Sequence, residues 1–173
     1  LVFIKGDVIM SAKIYFKSFN SDNDYNYWWT LASNEETMKM NYGRVFTRDE
    51  AGEVFNQILE ISKREDGSQY FKVFDEDTKY FIGMAALIEK EADKEVEIEY
   101  MFLPEYWGRG YGSRTVEALL DMAKELESIE RVTAIIDPRN ERSAKILLKN
   151  GFQSQRKFII DDGSWAEVFS RDI

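Results

Sequence analysis

Between a strand-like run and a helix-like run the chain reads LPEYWGRGYGSRTVEALL, residues 103–120, with Gly108, Gly110 and Gly112 at every second position. Three glycines so close together surrender backbone order unless something needs the backbone bare. A strand, a glycine-rich turn and a helix start aim the first, unpaired N–H groups of the helix at whatever lies before them, with the positive end of the helix dipole behind. That is a cradle for an anion such as a pyrophosphate, with Arg109 and Arg114 beside it. The familiar phosphate loops do not match. A Walker A loop needs G-x-x-x-x-G-K-[ST], and the dinucleotide fingerprint G-x-G-x-x-G meets Ser113 where its last glycine belongs. A tight turn with no ligand is the competing reading. Just before the glycines, Glu95, Glu97 and Glu99 share one face of a strand, opposite Val96, Ile98, Tyr100 and Phe102. A carboxylate row without partners is costly to bury, so it must meet water or a cleft.

The elements that would position these groups follow from periodicity. AKIYFKSF (12–19) alternates as a strand, and the N-cap residues of SDND (21–24) precede a short helix in YNYWWTLAS. Thr47 and Glu50 have capping-box spacing ahead of a helix carrying Val54, Phe55, Ile58, Leu59 and Ile61. Strands at 69–75 and 80–90 read as a hairpin about EDTK, and a third strand, 95–103, leads into the glycines. Val116, Leu119, Leu120, Ala123 and Leu126 then mark one face of a helix over 113–128. A strand at 131–137, a helix at 141–150 stopped by Gly151, and a last hairpin around Asp161-Asp162-Gly163 complete the order β, α, α, β, β, β, α, β, α, β, β.

With 173 residues, 44% of them hydrophobic, the chain suits one sizeable core. MSAKIYF from Met10 reads as a natural start, which makes residues 1–9 an extra N-terminal segment ahead of a single domain over 10–173. The absence of cysteine and histidine excludes disulfides, thiol nucleophiles, zinc fingers and Ser-His-Asp chemistry, and no metal site is expected. A net charge of −9 argues against nucleic acid and anionic membranes and favours a cationic partner. No apolar run approaches the roughly 20 residues of a membrane span, and the opening segment is unlike a secretory signal, so a cytoplasmic location is expected.

Element order and loop together resemble the GNAT superfamily of acetyl-CoA-dependent N-acetyltransferases, over nearly the whole chain from about residue 12. The family's Q/R-x-x-G-x-G/A segment corresponds to Trp107-Gly108-Arg109-Gly110-Tyr111-Gly112, both glycines matching and Trp107 standing in for the leading Gln or Arg. PEYWGRGYG, with NERSAKILLKNGF (140–152), resembles the ribosomal-protein N-terminal acetyltransferase branch. The resemblance implies an α/β fold: a central, mixed but mostly antiparallel sheet of about seven strands, about four helices, and a fourth strand splayed from the fifth.

It also implies acetyl-CoA as cosubstrate, held by the backbones of Met101, Phe102 and Leu103 and by Trp107, Gly108, Arg109, Gly110, Tyr111, Gly112, Ser113 and Asn140. Either Glu97 or Glu99 is the implied base. The position where many relatives carry a thiolate-protonating Tyr is Leu147, so Ser143, one helical turn earlier, is the implied donor near sulfur; bonding to its own backbone is the alternative. Asn140 is equally an ordinary N-cap. The acceptor is a primary amine, either a peptide N-terminus or a small cationic amine such as a polyamine or aminoglycoside, entering beside Asp22, Asp24, Glu35, Glu36, Asp161, Asp162, Trp28 and Trp29. A Trp pair on a helix is otherwise core. A homodimer and, as the non-enzymatic alternative, a CoA-binding sensor complete the expectations.

Overall fold

Seven strands form one sheet: β1 (Ile14–Ser18), β2 (Gln69–Asp75), β3 (Phe81–Lys90), β4 (Glu95–Phe102), β5 (Arg131–Ile136), β6 (Gln153–Ile159) and β7 (Trp165–Asp172), in spatial order β1-β2-β3-β4-β5-β7-β6. Among the described residues only the β4–β5 pairing is parallel. The computed structural model describes residues 2–4, 7–9, 12–90, 94–127 and 129–173. The start expected at Met10 lies outside them. Two short strands, Val2–Ile4 and Asp7–Ile9, pair with each other and not with the main sheet.

Five helices are described: α1 (Tyr25–Ala32), α2 (Glu35–Tyr42), α3 (Arg48–Ile61), α4 (Tyr111–Lys124) and α5 (Glu141–Lys149). The sequence reading counts about four because α2 carries only two buried residues, Thr37 and Met38, and no apolar stripe marks it. What starts α2 is an N-cap, Asn34 Oδ1 accepting the Thr37 N–H at 3.0 Å. The Thr47 capping box forms as expected, the Glu50 carboxylate accepting the Thr47 N–H at 2.8 Å. α4 begins two residues earlier than expected and ends at Lys124.

Strand alternation sends side chains to two cores. Val96, Ile98 and Phe102 of β4 join Val116, Leu119, Leu120 and Ala123 of α4 on one face. Met101 and Leu103 join Trp28, Leu31, Phe55 and Ile58 of α1 and α3 on the other. Burying a Leu or Phe side chain contributes about 1.5–3 kcal/mol, so both layers are anchored to the strand that carries the Glu row. No described helix is long and apolar enough to cross a membrane.

Candidate active site

Strand β4 pairs with β3 along its whole length but with β5 only at Glu95, Val96 and Glu97, opposite Arg131, Val132 and Thr133. Beyond Glu97 the parallel ladder ends and the sheet splits. The Leu103 N–H bonds the Ile82 carbonyl at 3.0 Å. Residues of an antiparallel strand bond alternate sides, so Met101 and Leu103 turn their amides to β3, whereas Tyr100 and Phe102 turn theirs to the split. Of the three expected backbone contacts, Met101, Phe102 and Leu103, only Phe102 presents its amide to the opening. On the paired side, Gly83 of β3 lets the β4 backbone come close: a Cβ there would lie 2.2 Å from the Met101 carbonyl oxygen.

The glycine turn continues from this opening. Gly108 has φ +73° and Gly110, the N-cap of α4, has φ +87°, conformations that disfavour L side chains. A Cβ at Gly108 would meet nothing within 4 Å, so the space before the helix is open. Gly112 serves packing instead, a Cβ there falling 2.6 Å from Ile146 Cδ1 of α5. A cleft of about 780 Å³ runs from this turn to the split, lined by Tyr100, Met101, Phe102, Trp107, Gly108, Gly110, Tyr111, Gly112, Ser113, Asn140 and Ser143. Leu103 and Arg109 are not on its walls; the Arg109 guanidinium lies 5.8 Å from the Tyr106 ring. Arg142, Lys145 and Lys149 line it from α5. Cations beside bare backbone amides suit a long anionic ligand, even in a chain of charge −9.

Several cleft residues are already engaged. Trp107 ties the turn to β4, its Nε1–H donating to the Phe102 carbonyl at 2.8 Å. Tyr111 donates to Asp75 Oδ2 at 2.5 Å, fixing the start of α4 to the end of β2. Ser113 Oγ accepts from Asn150 Nδ2 at 3.3 Å. Asn140 acts as the N-cap of α5, its Oδ1 accepting the Ser143 N–H at 3.1 Å, and both residues also line the cleft. Leu147 is fully buried in the core.

On the opposite face of β4 the three glutamates diverge. Glu95 pairs with Arg131 at 3.0 Å and Glu97 with Lys90 at 2.8 Å. Among the described residues Glu99 has no ion pair; its Oε2 accepts a hydrogen bond from the Tyr70 hydroxyl at 3.3 Å. Burial, and secondarily the Glu97 charge, push the Glu99 carboxyl up to about 7, as desolvation and a like charge should. The sequence reading kept Glu97 and Glu99 level because cross-strand partners are invisible without register.

Neither tryptophan is on the wall of this cleft. Trp28 is 0% exposed, with its indole N–H donating to the Ala51 carbonyl at 2.8 Å; Trp29 is half-buried, with the Arg48 guanidinium 4.9 Å from its ring. Asp24 is likewise spent, bonded to Lys72 in a buried ion pair. Among the described residues no three acidic side chains gather into a metal-binding group.

Residues 13–153 match the family model described as an acetyltransferase (GNAT) domain. The chain is 31% identical over 86 residues to "Uncharacterized N-acetyltransferase YoaA" of Bacillus subtilis (strain 168), a match covering 48% of each protein. It therefore spans about half the length of that relative. It is 24% identical over 109 residues, 60% of this chain and 56% of the other, to the [ribosomal protein uS5]-alanine N-acetyltransferase of Escherichia coli (strain K12). The fold is similar to that of the Vibrio cholerae spermidine N-acetyltransferase crystallised with CoA and spermine, with TM-score 0.74, 17% identity, and 92% and 95% of the two chains covered. With its split sheet and its glycine-initiated helix on one cleft, this chain belongs to the GNAT acetyltransferase family.

Proposed function

We propose that this chain transfers the acetyl group of acetyl-CoA to a primary amine by direct attack on the thioester, and that the amine is the N-terminus of a peptide or protein. The observation that carries the reading is the continuous cleft joining the α4 cradle to the open edge of β4, with Glu99 on the other face of the same strand. The amides at the start of α4, freed of side chains at Gly108 and Gly110, hold the pyrophosphate. The Phe102 amide faces the thioester oxygen, where a donor stabilises developing negative charge. Glu99 is the proton acceptor, with Glu97, ion-paired to Lys90, as its electrostatic neighbour.

The choice of amine follows from the base. An α-amine has pKa about 8 and the primary amine of a lysine side chain about 10.4. A carboxylate of about 7 is well matched to the former and several units short of the latter, and proton transfer is most effective between matched groups. The partial similarity to the uS5-alanine N-acetyltransferase supports the same choice.

An acceptor panel with acetyl-CoA, followed by release of free thiol, tests the reading. Peptides beginning with alanine or serine should turn over faster than spermidine or an aminoglycoside. A preference for spermidine would assign the small-amine reading, and CoA binding with no turnover on any amine would make the domain a sensor.

A further inference from the structure

The departing thiolate needs a proton, and the walls of the cleft offer few groups able to give one. The lysines on the wall, Lys39, Lys145 and Lys149, are exposed. The Tyr111 hydroxyl is committed to Asp75. Tyr106 stacks edge-on against Tyr111 at the glycine turn, with the Arg109 guanidinium over its ring. The Ser143 hydroxyl is a far weaker acid than a phenol.

Tyr100 differs from all of these. It sits on β4 beside Glu99, and successive residues of a strand face opposite sides, so the acid and the base flank the same backbone at the point where the sheet has split. Its ring is half-buried against Phe102, at a centroid distance of 6.4 Å, and its hydroxyl reaches across the cleft to the first turn of α5. There the only hydrogen-bond partner among the described residues is the Ser143 carbonyl at 3.5 Å, longer than the 2.5–3.0 Å of a well-formed O–H···O bond. The proton is thus held in the cleft without being spent. Burial pushes the phenol up to about 12, which keeps the hydroxyl protonated at neutral pH.

We propose that Tyr100 donates the proton taken up by the departing CoA sulfur. The proposal rests on the acetyl-transfer reading above. Starting from the neutral amine, nitrogen bonds to the thioester carbonyl carbon and sheds one proton to Glu99. The C–S bond breaks with its electron pair on sulfur, and the Tyr100 O–H, hydrogen-bonded to sulfur as charge builds there, gives up its proton to it. The phenolate is refilled from solvent, into which Glu99 releases the proton it took, so atoms and charge balance.

The test compares wild type, Tyr100→Phe and Ser143→Ala with acetyl-CoA and with p-nitrophenyl acetate, whose nitrophenolate leaves without protonation. Each is assayed on whichever amine of the panel wild type acetylates. Tyr100→Phe should lose about 10²-fold or more in kcat with acetyl-CoA, the usual scale of acid–base catalysis, with KM and calorimetric CoA affinity within threefold of wild type. With p-nitrophenyl acetate it should keep the wild-type rate. Full activity of Tyr100→Phe with acetyl-CoA overturns the proposal, as does an equal loss with both donors, which marks a structural role. A loss confined to Ser143→Ala transfers the role to Ser143. If wild type itself acetylates no amine, the acetyl-transfer reading falls first and this proposal with it.

Discussion

Tyr70 reaches Glu99 across an intervening strand: its hydroxyl donates to Glu99 Oε2 at 3.3 Å, although Tyr70 lies on β2 and Glu99 on β4. Register explains how. Tyr70 is opposite Ala86 of β3, and Ala86 is opposite Glu99, so the three share one row on one face. At about 4.8 Å between strands, a phenol spans the gap only because the middle residue ends at a methyl group. The one member of the β4 carboxylate row with no ion pair among the described residues is thereby held by a neutral donor.

Tyr70→Phe removes a hydrogen bond that favours the ionised carboxylate, so the Glu99 pKa should rise further. Activity that needs Glu99 deprotonated should show its acidic limb displaced to higher pH by about one unit, one unit corresponding to about 1.4 kcal/mol. Glu97→Gln removes the neighbouring like charge and should move the limb the opposite way. Limbs that coincide in all three proteins, read from kcat against pH, would detach Glu99 from the rate.

Gly110→Asp tests the cradle. Gly110 caps α4 at φ +87°, and a Cβ there would meet only Ala12 Cβ, at 3.9 Å, so an aspartate would add backbone strain and a negative charge where the pyrophosphate is to sit. CoA affinity measured by calorimetry should fall below detection while the circular-dichroism spectrum stays native. Unchanged affinity would make the turn purely structural.

Much of this was legible in the sequence, and the missing parts share a cause. The glycines, the β4 carboxylate row and the helix over Val116–Ala123 are local patterns, and local patterns fix elements and faces. Helix α2 escaped because its sequence has almost no apolar periodicity; its place is set by contacts such as the Thr37 hydroxyl donating to the Phe102 carbonyl at 3.2 Å, across 65 residues of chain. Trp28 looked available because a tryptophan pair on a helix says nothing about which one faces in. Tyr70, Lys90 and Tyr100 acquire their roles from strand register and from the β4–β5 split, neither of which a single strand's sequence encodes. The close approach of β3 to β4 did have a signal in Gly83, a glycine inside an otherwise apolar strand, which marks close backbone approach.

Gly83→Ala should therefore act at a distance from the cleft wall. The added Cβ would fall 2.2 Å from the Met101 carbonyl, and overpacking of this kind costs about 1–3 kcal/mol. Because relief requires β4 to move at Met101 and Phe102, KM for acetyl-CoA should rise alongside the loss in thermal stability. Gly52→Ala in α3, where a Cβ meets nothing within 4 Å, should instead gain about 0.5–1 kcal/mol and leave KM unchanged. Parallel behaviour of the two variants would count against the strain argument.

Glu99→Gln separates catalysis from stability. A carboxyl at about 7 in the fold and about 4.3 when unfolded binds its proton more tightly in the native state. Between those values the folded chain carries more protons than the unfolded one, so stability falls as pH rises through that window. The glutamine variant cannot ionise and should lose this slope. At pH 8 it should be more stable than wild type by on the order of 1 kcal/mol, a value discounted for partial exposure of the site, and at pH 4 the two should converge. In the same variant kcat should drop about 10²-fold or more, with the acidic limb gone. A variant that is more stable at pH 8 yet fully active on an amine of high pKa would leave Glu99 a strained structural residue and move the search for the base to Glu97.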